Sequence, residues 1–367
     1  MTRPPTRVDR ATTPHRHDPA PFSVEEPVTA SDTAVTLTLD DVEDLAESAL
    51  RTHAVSAPAA RSVAASVRAA EADGIRSHGL TRLPTYCAHA ACGKIDGYAE
   101  PTVATPRAGA VRADAADGFA HPAIDVGLPA LIEAARATGT ATLAVHRSYN
   151  CGVVGYHVER LAAHGLLALG FANAPASMAP WGGRRPVVGT NPIACAIPRE
   201  HDPPIVIDQS SSVVAKSELM VHRQAGEPIP EHWALDGNGE PTTDPAAALE
   251  GGTMAPAGGR KGATLALMVE ALAAAATGAT LGKDASSFAD EAGGSPRTGQ
   301  LFLAVDPQAT SGGAFLDRVE ALVAAWTAEE GARLPGEGRL AARERAASHG
   351  VTVPAGQHER LAALAGR

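Results

Sequence analysis

The residues whose chemistry is most telling sit close together: Ser77-His78-Gly79, then Arg82 and Tyr86. They put a hydroxyl, an imidazole, a guanidinium and a phenol into one short segment. If the segment is helical, His78, Arg82 and Tyr86 share a face, because residues i and i+4 are neighbours on a helix. A small anion could then meet a carboxylate-binding cation and a proton-transfer group together. Those are the parts needed for redox chemistry on a 2-hydroxy or 2-keto acid. The same residues also suit a surface helix start with a capping Ser and a solvated Arg, and taken alone they favour that plainer reading.

The surrounding pattern supplies the elements that must hold this segment. Residues 1–34 are rich in Pro, Arg, Thr and His without an apolar period and read as a disordered tail. Val35 to Thr38 alternates like a strand, and Asp40 can cap a helix whose apolar positions are Val42, Leu45, Ala46, Ala49 and Leu50. A second helix starts near Pro58, and a third, Leu80 to Ala91, has Pro84 in its first turn or forces an irregular stretch before it. From there helices (123–137, 155–164) alternate with strands (140–145, 166–173, 192–198, 205–208). A long buried helix follows over 263–277, then a polar glycine-rich loop over 282–298 and a strand over 301–306. Amphipathic helices over 315–328 and 337–349 complete an α/β chain.

Composition narrows the function. A net charge of −10 provides no basic domain for nucleic acid, though a local Arg cluster can still bind an anionic substrate. Four cysteines (Cys87, Cys92, Cys151, Cys195) without a CxxC pair point to a reduced, cytoplasmic setting. No stretch is apolar enough for a membrane span, since the closest, 263–281, is broken by Glu270 and threonines. No HExxH or paired CxxC is present, so no metal site is expected. A GxSxG nucleophile motif is missing, and so is a GxGxxG after a strand.

Seven segments in register carry a resemblance: 72–84 (ADGIRSHGLTRLP), 179–184 (APWGGR), 189–194 (GTNPIA), 208–216 (DQSSSVVAK), 226–230 (GEPIP), 241–245 (PTTDP) and 258–262 (GGRKG). Together they resemble the malate/L-lactate/sulfolactate dehydrogenase family, which also includes ureidoglycolate dehydrogenase, diketogulonate reductase and cyclic-imine carboxylate reductases. The resemblance spans roughly residues 36–360. It implies an α/β, non-Rossmann nicotinamide-binding fold, which would account for the missing GxGxxG. A helical domain (35–118 plus 298–367) would pack on an α/β cofactor domain (119–297), and the protein would be a homodimer.

The resemblance also implies roles. His78 would be the proton donor and acceptor, Ser77 a hydrogen-bonding partner of substrate or nicotinamide, and Arg82 the clamp on the substrate carboxylate. Tyr86 would donate to the same carboxylate or pack half-buried. Asn150 stands where some relatives carry a second histidine, and Ala174 where some carry a lysine. An amide can orient a substrate oxygen but cannot exchange a proton near neutrality, so His78 is left as sole acid and base. For the cofactor, NAD or NADP, the resemblance offers Asp208, Gln209 and Ser210. Lys261 and Gly262 at a helix start suit its pyrophosphate, Thr190 and Asn191 its nicotinamide or a structural turn, and Gly336 and Glu337 its adenosine end. His121 is a lesser candidate. Cys151 reads as packing.

The implied reaction is hydride transfer between NAD(P) and C2 of a small anionic acid of malate, lactate or 3-sulfolactate type. Arg76, Arg184 and Arg185 could bind a second acidic group, which favours malate or sulfolactate. The loop from Ser286 to Gln300 resembles the sulfolactate-like branch. The alternatives are reduction of a cyclic imine carboxylate and a non-catalytic binding module on the same fold.

Overall fold

The structure, a computed structural model, describes residues 34–367. The expected tail therefore lies outside the described residues except for Ala34, which already belongs to a strand.

The chain begins with β1 (Ala34–Leu37), α1 (Leu39–Thr52) and α2 (Ala57–Ala72). Two 3₁₀ turns, Arg76–His78 and Leu80–Arg82, lead into α3 (Leu83–Ala91). Next come β2 (Thr102–Arg107), β3 (Ala110–Asp114), α4 (Ala120–Thr138), β4 (Thr140–Ser148) and α5 (Val154–Ala162). β5 (Leu167–Ala172), β6 (Ile193–Ile197) and β7 (Ile205–Gln209) follow. A smaller lobe holds α6 (Lys216–Ala225), β8 (Ala234–Leu235), α7 (Pro245–Leu249) and β9 (Thr253–Met254). α8 (Arg260–Glu270), a π-helical turn (Ala271–Ala275) and β10 (Thr298–Val305) return the chain to the centre. α9 (Pro307–Ser311), α10 (Phe315–Thr327), α11 (Glu337–His349), β11 (Val351–Pro354) and α12 (Ala355–Leu364) end it.

The main sheet has seven strands in the order β2-β3-β4-β10-β5-β6-β7. All neighbours are antiparallel except β3 and β4. Its strands alternate as a two-faced sheet requires. Leu143, Val145 and Phe302 point to the side covered by α4 and α5, whereas Ala144 and Leu301 point to the side covered by α8 and its π turn. β1 pairs antiparallel with β11, and both join α1, α2, α3 and α12 around a second apolar core.

Four expectations are corrected. Thr38, not Asp40, caps α1: its hydroxyl accepts the Asp41 N–H while the Asp41 carboxylate accepts the Thr38 N–H, a reciprocal capping box. The third helix starts at Leu83 rather than Leu80; Pro84 does sit in its first turn with an irregular 3₁₀ stretch before it, because Pro84 has no N–H to give the Leu80 carbonyl. The helix expected over 263–277 is only half-buried, with Leu267 63% and Met268 44% exposed. Finally, β2, β3 and β10 lie outside 119–297 yet belong to the main sheet, so those limits would cut through it.

Candidate active site

Burial decides how the SHG segment is held. Glu71 falls on the apolar stripe of α2, four residues after Val67, and is buried there. Its Oε1 accepts the Leu80 N–H at 2.6 Å, and a Cβ on Gly79 would collide with the same carboxylate. Only glycine lets the chain pass this close. At the end of α2, buried Asp73 pairs with Arg343 and Arg339 of α11, which also bind Glu159 of α5. The segment is thus fixed from beneath and behind before any ligand arrives.

Within it, Ser77 Oγ lies 3.1 Å from His78 Nδ1. Burial, assisted by the neighbouring Arg82 charge, lowers the His78 pKa to about 4, so its imidazole is neutral at pH 7. Arg82 donates to the Phe288 carbonyl at 3.2 Å and lies 5.9 Å from the Tyr86 ring centre. Tyr86 is buried and donates to Asn150 Oδ1 at 2.9 Å; burial pushes its phenol up to about 12, so it stays a donor. Asn150 Oδ1 also accepts the Gly152 N–H at 3.2 Å. The expected group Ser77, His78, Arg82, Tyr86 and Asn150 is therefore drawn together, although by 3₁₀ turns and a cross-element bond rather than by one helix face.

Aromatic rings wall this group in. Tyr149 packs edge-on against Tyr86 (5.9 Å), Phe119 (6.1 Å) and Phe288 (4.9 Å). Its hydroxyl lies 2.7 Å from His89 Nδ1. Behind the Asn150 turn, the ring of His121 faces Gly152 and lies 5.8 Å from the ring of His157. His157 Nε2 donates to the Cys151 carbonyl at 2.9 Å, and the Nδ1 atoms of both histidines have no partner. Burial lowers each of these two imidazoles to about 3, with His157 adding to the effect on His121. Cys151 is buried among apolar neighbours, and burial raises its thiol to about 12.

The expected cofactor residues gather along β7 and its continuation. Asp208, exposed as a whole, turns one oxygen onto the Gly155 N–H at 2.6 Å; burial of that carboxyl raises it to about 6 against the lowering pull of the N–H and Arg339. Gly336 approaches β7 so closely that a Cβ would sit 3.2 Å from the Val206 carbonyl, which sets Glu337, at the start of α11, near the same strand. Ser210 Oγ lies 3.0 Å from Ser212 Oγ, while Ser211 bonds back to the carbonyls of Thr190 and Asn191. Ala257 N–H reaches the Ser211 carbonyl, so the start of α8 docks on this strand end. Gln209 is exposed beside it.

This cradle fits a dinucleotide's phosphates. Gly258 and Gly259 both take left-handed backbone (φ 62° and 64°) to turn the chain into α8, whose first turn has no side-chain cap. Free N–H groups and the positive end of the helix dipole there suit an anion. Lys261 is exposed, and a Cβ on Gly262 would lie 2.8 Å from the Ser211 carbonyl. Asn191 differs from expectation. It is fully buried, its amide donates to the Ala266 carbonyl and Glu270, and its oxygen accepts the Ala174 N–H. With all three contacts internal, its side chain holds the Gly189–Pro192 turn and has nothing left for a ligand. Among the described residues, no group of three or more His, Cys, Asp or Glu could hold a metal ion.

Sequence reasoning passed over Glu71, Tyr149, Phe288 and Lys94. Only Glu71 carried a signal, as a carboxylate on an apolar helix stripe.

Residues 37–362 match the family model described as malate/L-lactate dehydrogenase. The chain is 49% identical over 308 residues, 84% of its length and 91% of the relative's, to a (2R)-3-sulfolactate dehydrogenase (NADP(+)) of Chromohalobacter salexigens. It is 42% identical over 333 residues, 90% of its length and 99% of the relative's, to a Δ1-pyrroline-2-carboxylate/Δ1-piperideine-2-carboxylate reductase of Pseudomonas aeruginosa. Among solved structures, Δ1-piperideine-2-carboxylate reductase from Pseudomonas syringae superposes with a TM-score of 0.86 at 36% identity, covering 90% of this chain and 99% of that one. Sulfolactate dehydrogenase from Methanocaldococcus jannaschii gives 0.82 at 26% identity, covering 90% and 97%.

Proposed function

The chain belongs to the malate/L-lactate dehydrogenase family, and from that membership we propose an NAD(P)-dependent dehydrogenase that interconverts a small 2-hydroxy acid and its 2-keto acid. The observation that carries this reading is the neutral imidazole of His78, bonded to Ser77 and beside the Arg82 guanidinium, which in turn lies over the ring of Tyr86, the partner of Asn150.

In oxidation, His78 takes the proton of the substrate hydroxyl as the C2–O bond becomes a carbonyl. If Nε2 is the accepting nitrogen, Nδ1 carries the hydrogen and donates it to Ser77 Oγ. Arg82 pairs with the substrate carboxylate through its planar fork. That pairing also offsets the positive charge that helps to keep His78 deprotonated, so an acid substrate raises the proton affinity of the group that must receive its proton. Asn150, held by Tyr86, orients the C2 oxygen. A nicotinamide, when bound, would supply the hydride acceptor for oxidation at C2 and the hydride donor for reduction. Lys261, Gly262 and Ser210 would hold its phosphates, with Asp208, Gln209, Thr190, Gly336 and Glu337 along the same band.

The 3-sulfolactate-type substrate is the preferred member of the class, supported by the 49% identical relative. Reduction of a cyclic imine carboxylate is the second reading, supported by the 42% identical relative and the 0.86 superposition. It uses the same carboxylate clamp and acid but delivers hydride to C=N. A homodimer in the cytoplasm completes the proposal. The exposed Leu267, Met268, Leu322 and Trp326 and the unpaired state of all four cysteines support it. No helix among the described residues is long and apolar enough to cross a membrane. The test is a panel of 2-keto acids (3-sulfopyruvate, oxaloacetate, pyruvate) and cyclic imines with NADPH and NADH, read as loss of reduced-cofactor absorbance. Consumption with 3-sulfopyruvate is expected; consumption only with the imines selects the second reading, and none with any of them overturns both.

A further inference from the structure

Lys94 is the most deeply buried cation among the described residues, with 1% of its surface exposed, yet it has no close carboxylate partner. Its Nζ instead donates to two backbone carbonyls of one loop, Asp290 at 2.7 Å and Ala292 at 2.6 Å, while Asp290 Oδ1 stands off at 3.9 Å. Burying an ammonium is unfavourable unless hydrogen bonds replace its water. Here both replacements come from a single stretch of irregular backbone, which ties that stretch to the helical core behind α3.

That stretch forms a wall of the site. Phe288, two residues before the first anchored carbonyl, packs its ring on Tyr149 at 4.9 Å and gives its own carbonyl to Arg82 at 3.2 Å. Beside Lys94, His89 of α3 faces the Asp290 backbone, while Ser286, Ser287 and Asp290 bond within the loop itself. Lys94 and Arg82 therefore grip the same loop at different points. The second grip is the one an acid substrate must share.

We propose that Lys94 is a positioning residue for substrate binding: it latches the Phe288–Ala292 wall so that the Phe288 ring closes the site and its carbonyl sets the aim of Arg82. With the latch released, the wall lifts from Tyr149 and Arg82 loses its guide. The carboxylate is then bound more weakly, while His78 and the cofactor band are untouched. This inference rests on the dehydrogenase reading above for its substrate.

The test is Lys94→Met, nearly the same length without charge or donors. The Michaelis constant for 3-sulfopyruvate, or for whichever panel compound the wild type turns over, should rise tenfold or more. kcat should stay within threefold, and the Kd of NADPH from its fluorescence should not move. Lys94→Arg, which restores donors, should recover most of the affinity. Phe288→Ala, which leaves the latch intact but removes the wall's ring, should raise the same constant. Proteinase K should nick Lys94→Met between residues 286 and 296 faster than the wild type. Should Lys94→Met not fold, Lys94→Gln carries the same expectations. An unchanged Michaelis constant in a folded variant, or kcat and NADPH affinity falling with it, overturns the latch. A wild type inactive on the whole panel overturns the dehydrogenase reading instead, and the proteolysis arm then still decides the latch.

Discussion

The two halves of the site are built from different materials. The substrate wall is made of side chains: the chain has only six Phe and four Tyr, and two of each meet here as Phe119, Phe288, Tyr86 and Tyr149. Tyr86 and Tyr149 are joined to Asn150 and His89 by side-chain bonds between distant elements. The proposed cofactor band is made of backbone: glycines, serine carbonyls and an uncapped helix start, with one exposed lysine. A wall of interlocking side chains reads one small molecule closely. A band of amides takes hold of phosphates, which are alike in many ligands. Damage to the wall should therefore appear in kcat or the substrate's Michaelis constant, and damage to the band in cofactor affinity.

The largest effect expected is on the wall. His78→Ala should cut kcat/KM by about 100-fold or more, the usual contribution of a positioned acid or base, while NADPH still binds as in the wild type. A variant retaining a tenth of its activity would move the acid–base role elsewhere. Gly79→Ala strikes the support of that residue rather than the residue itself. Its methyl meets the Glu71 carboxylate, so melting temperature and kcat should both fall, with a stability loss of about 1–3 kcal/mol, the usual cost of overpacking. A silent Gly79→Ala would mean that Glu71 does not fix the turn.

On the band, Lys261→Ala should weaken NADPH binding by about tenfold, the scale of one lost charge-assisted bond, with kcat little changed at saturating cofactor. A drop in kcat with unchanged cofactor affinity would erase the contrast between the halves.

The smallest effect is a pH dependence of stability. His78, His121 and His157 are held near 4, 3 and 3, below the ordinary histidine value of 6.5. Below pH 6.5 the unfolded chain therefore binds more protons at these positions, and stability falls as the medium is acidified. Asp208, raised from 3.8 to about 6, works in the opposite sense, taking up a proton in the folded state first. Burial also lowers His89 and raises Glu71, so four imidazoles against two carboxyls should lower the melting temperature between pH 7 and pH 5, and His121→Asn should flatten the slope. A melting temperature constant over that range would contradict the burial of these imidazoles.

Much of this was legible in the sequence because it depended on local pattern. The apolar stripe Val42, Leu45, Ala46, Ala49 and Leu50 is buried as its spacing requires, and β4, β5, β6 and β7 fall within a few residues of their alternating runs. The SHG segment stood out because its residue types are reactive. What stayed hidden depended on distance. Nothing near Lys94 announces that its partners are almost two hundred residues away, and Tyr149 and Phe288 look like packing until their rings meet. Asn191 misled for the same reason. Its place in a polar turn suggested a ligand, while its partners, Ala266 and Glu270, arrive only with α8. The limits set at 119 and 297 failed because a sheet is assembled in an order that the chain does not follow.

That order has a consequence for synthesis. β10 fills the slot between β4 and β5, yet it emerges from the ribosome well over a hundred residues after either of them. Until it arrives, the nascent polypeptide carries two part-sheets, each with a bare inner edge of unpaired amides and carbonyls. A message truncated before residue 298, or translation stalled there, leaves those edges free to pair with another copy, and such fragments are predicted to aggregate rather than to persist as a smaller folded unit.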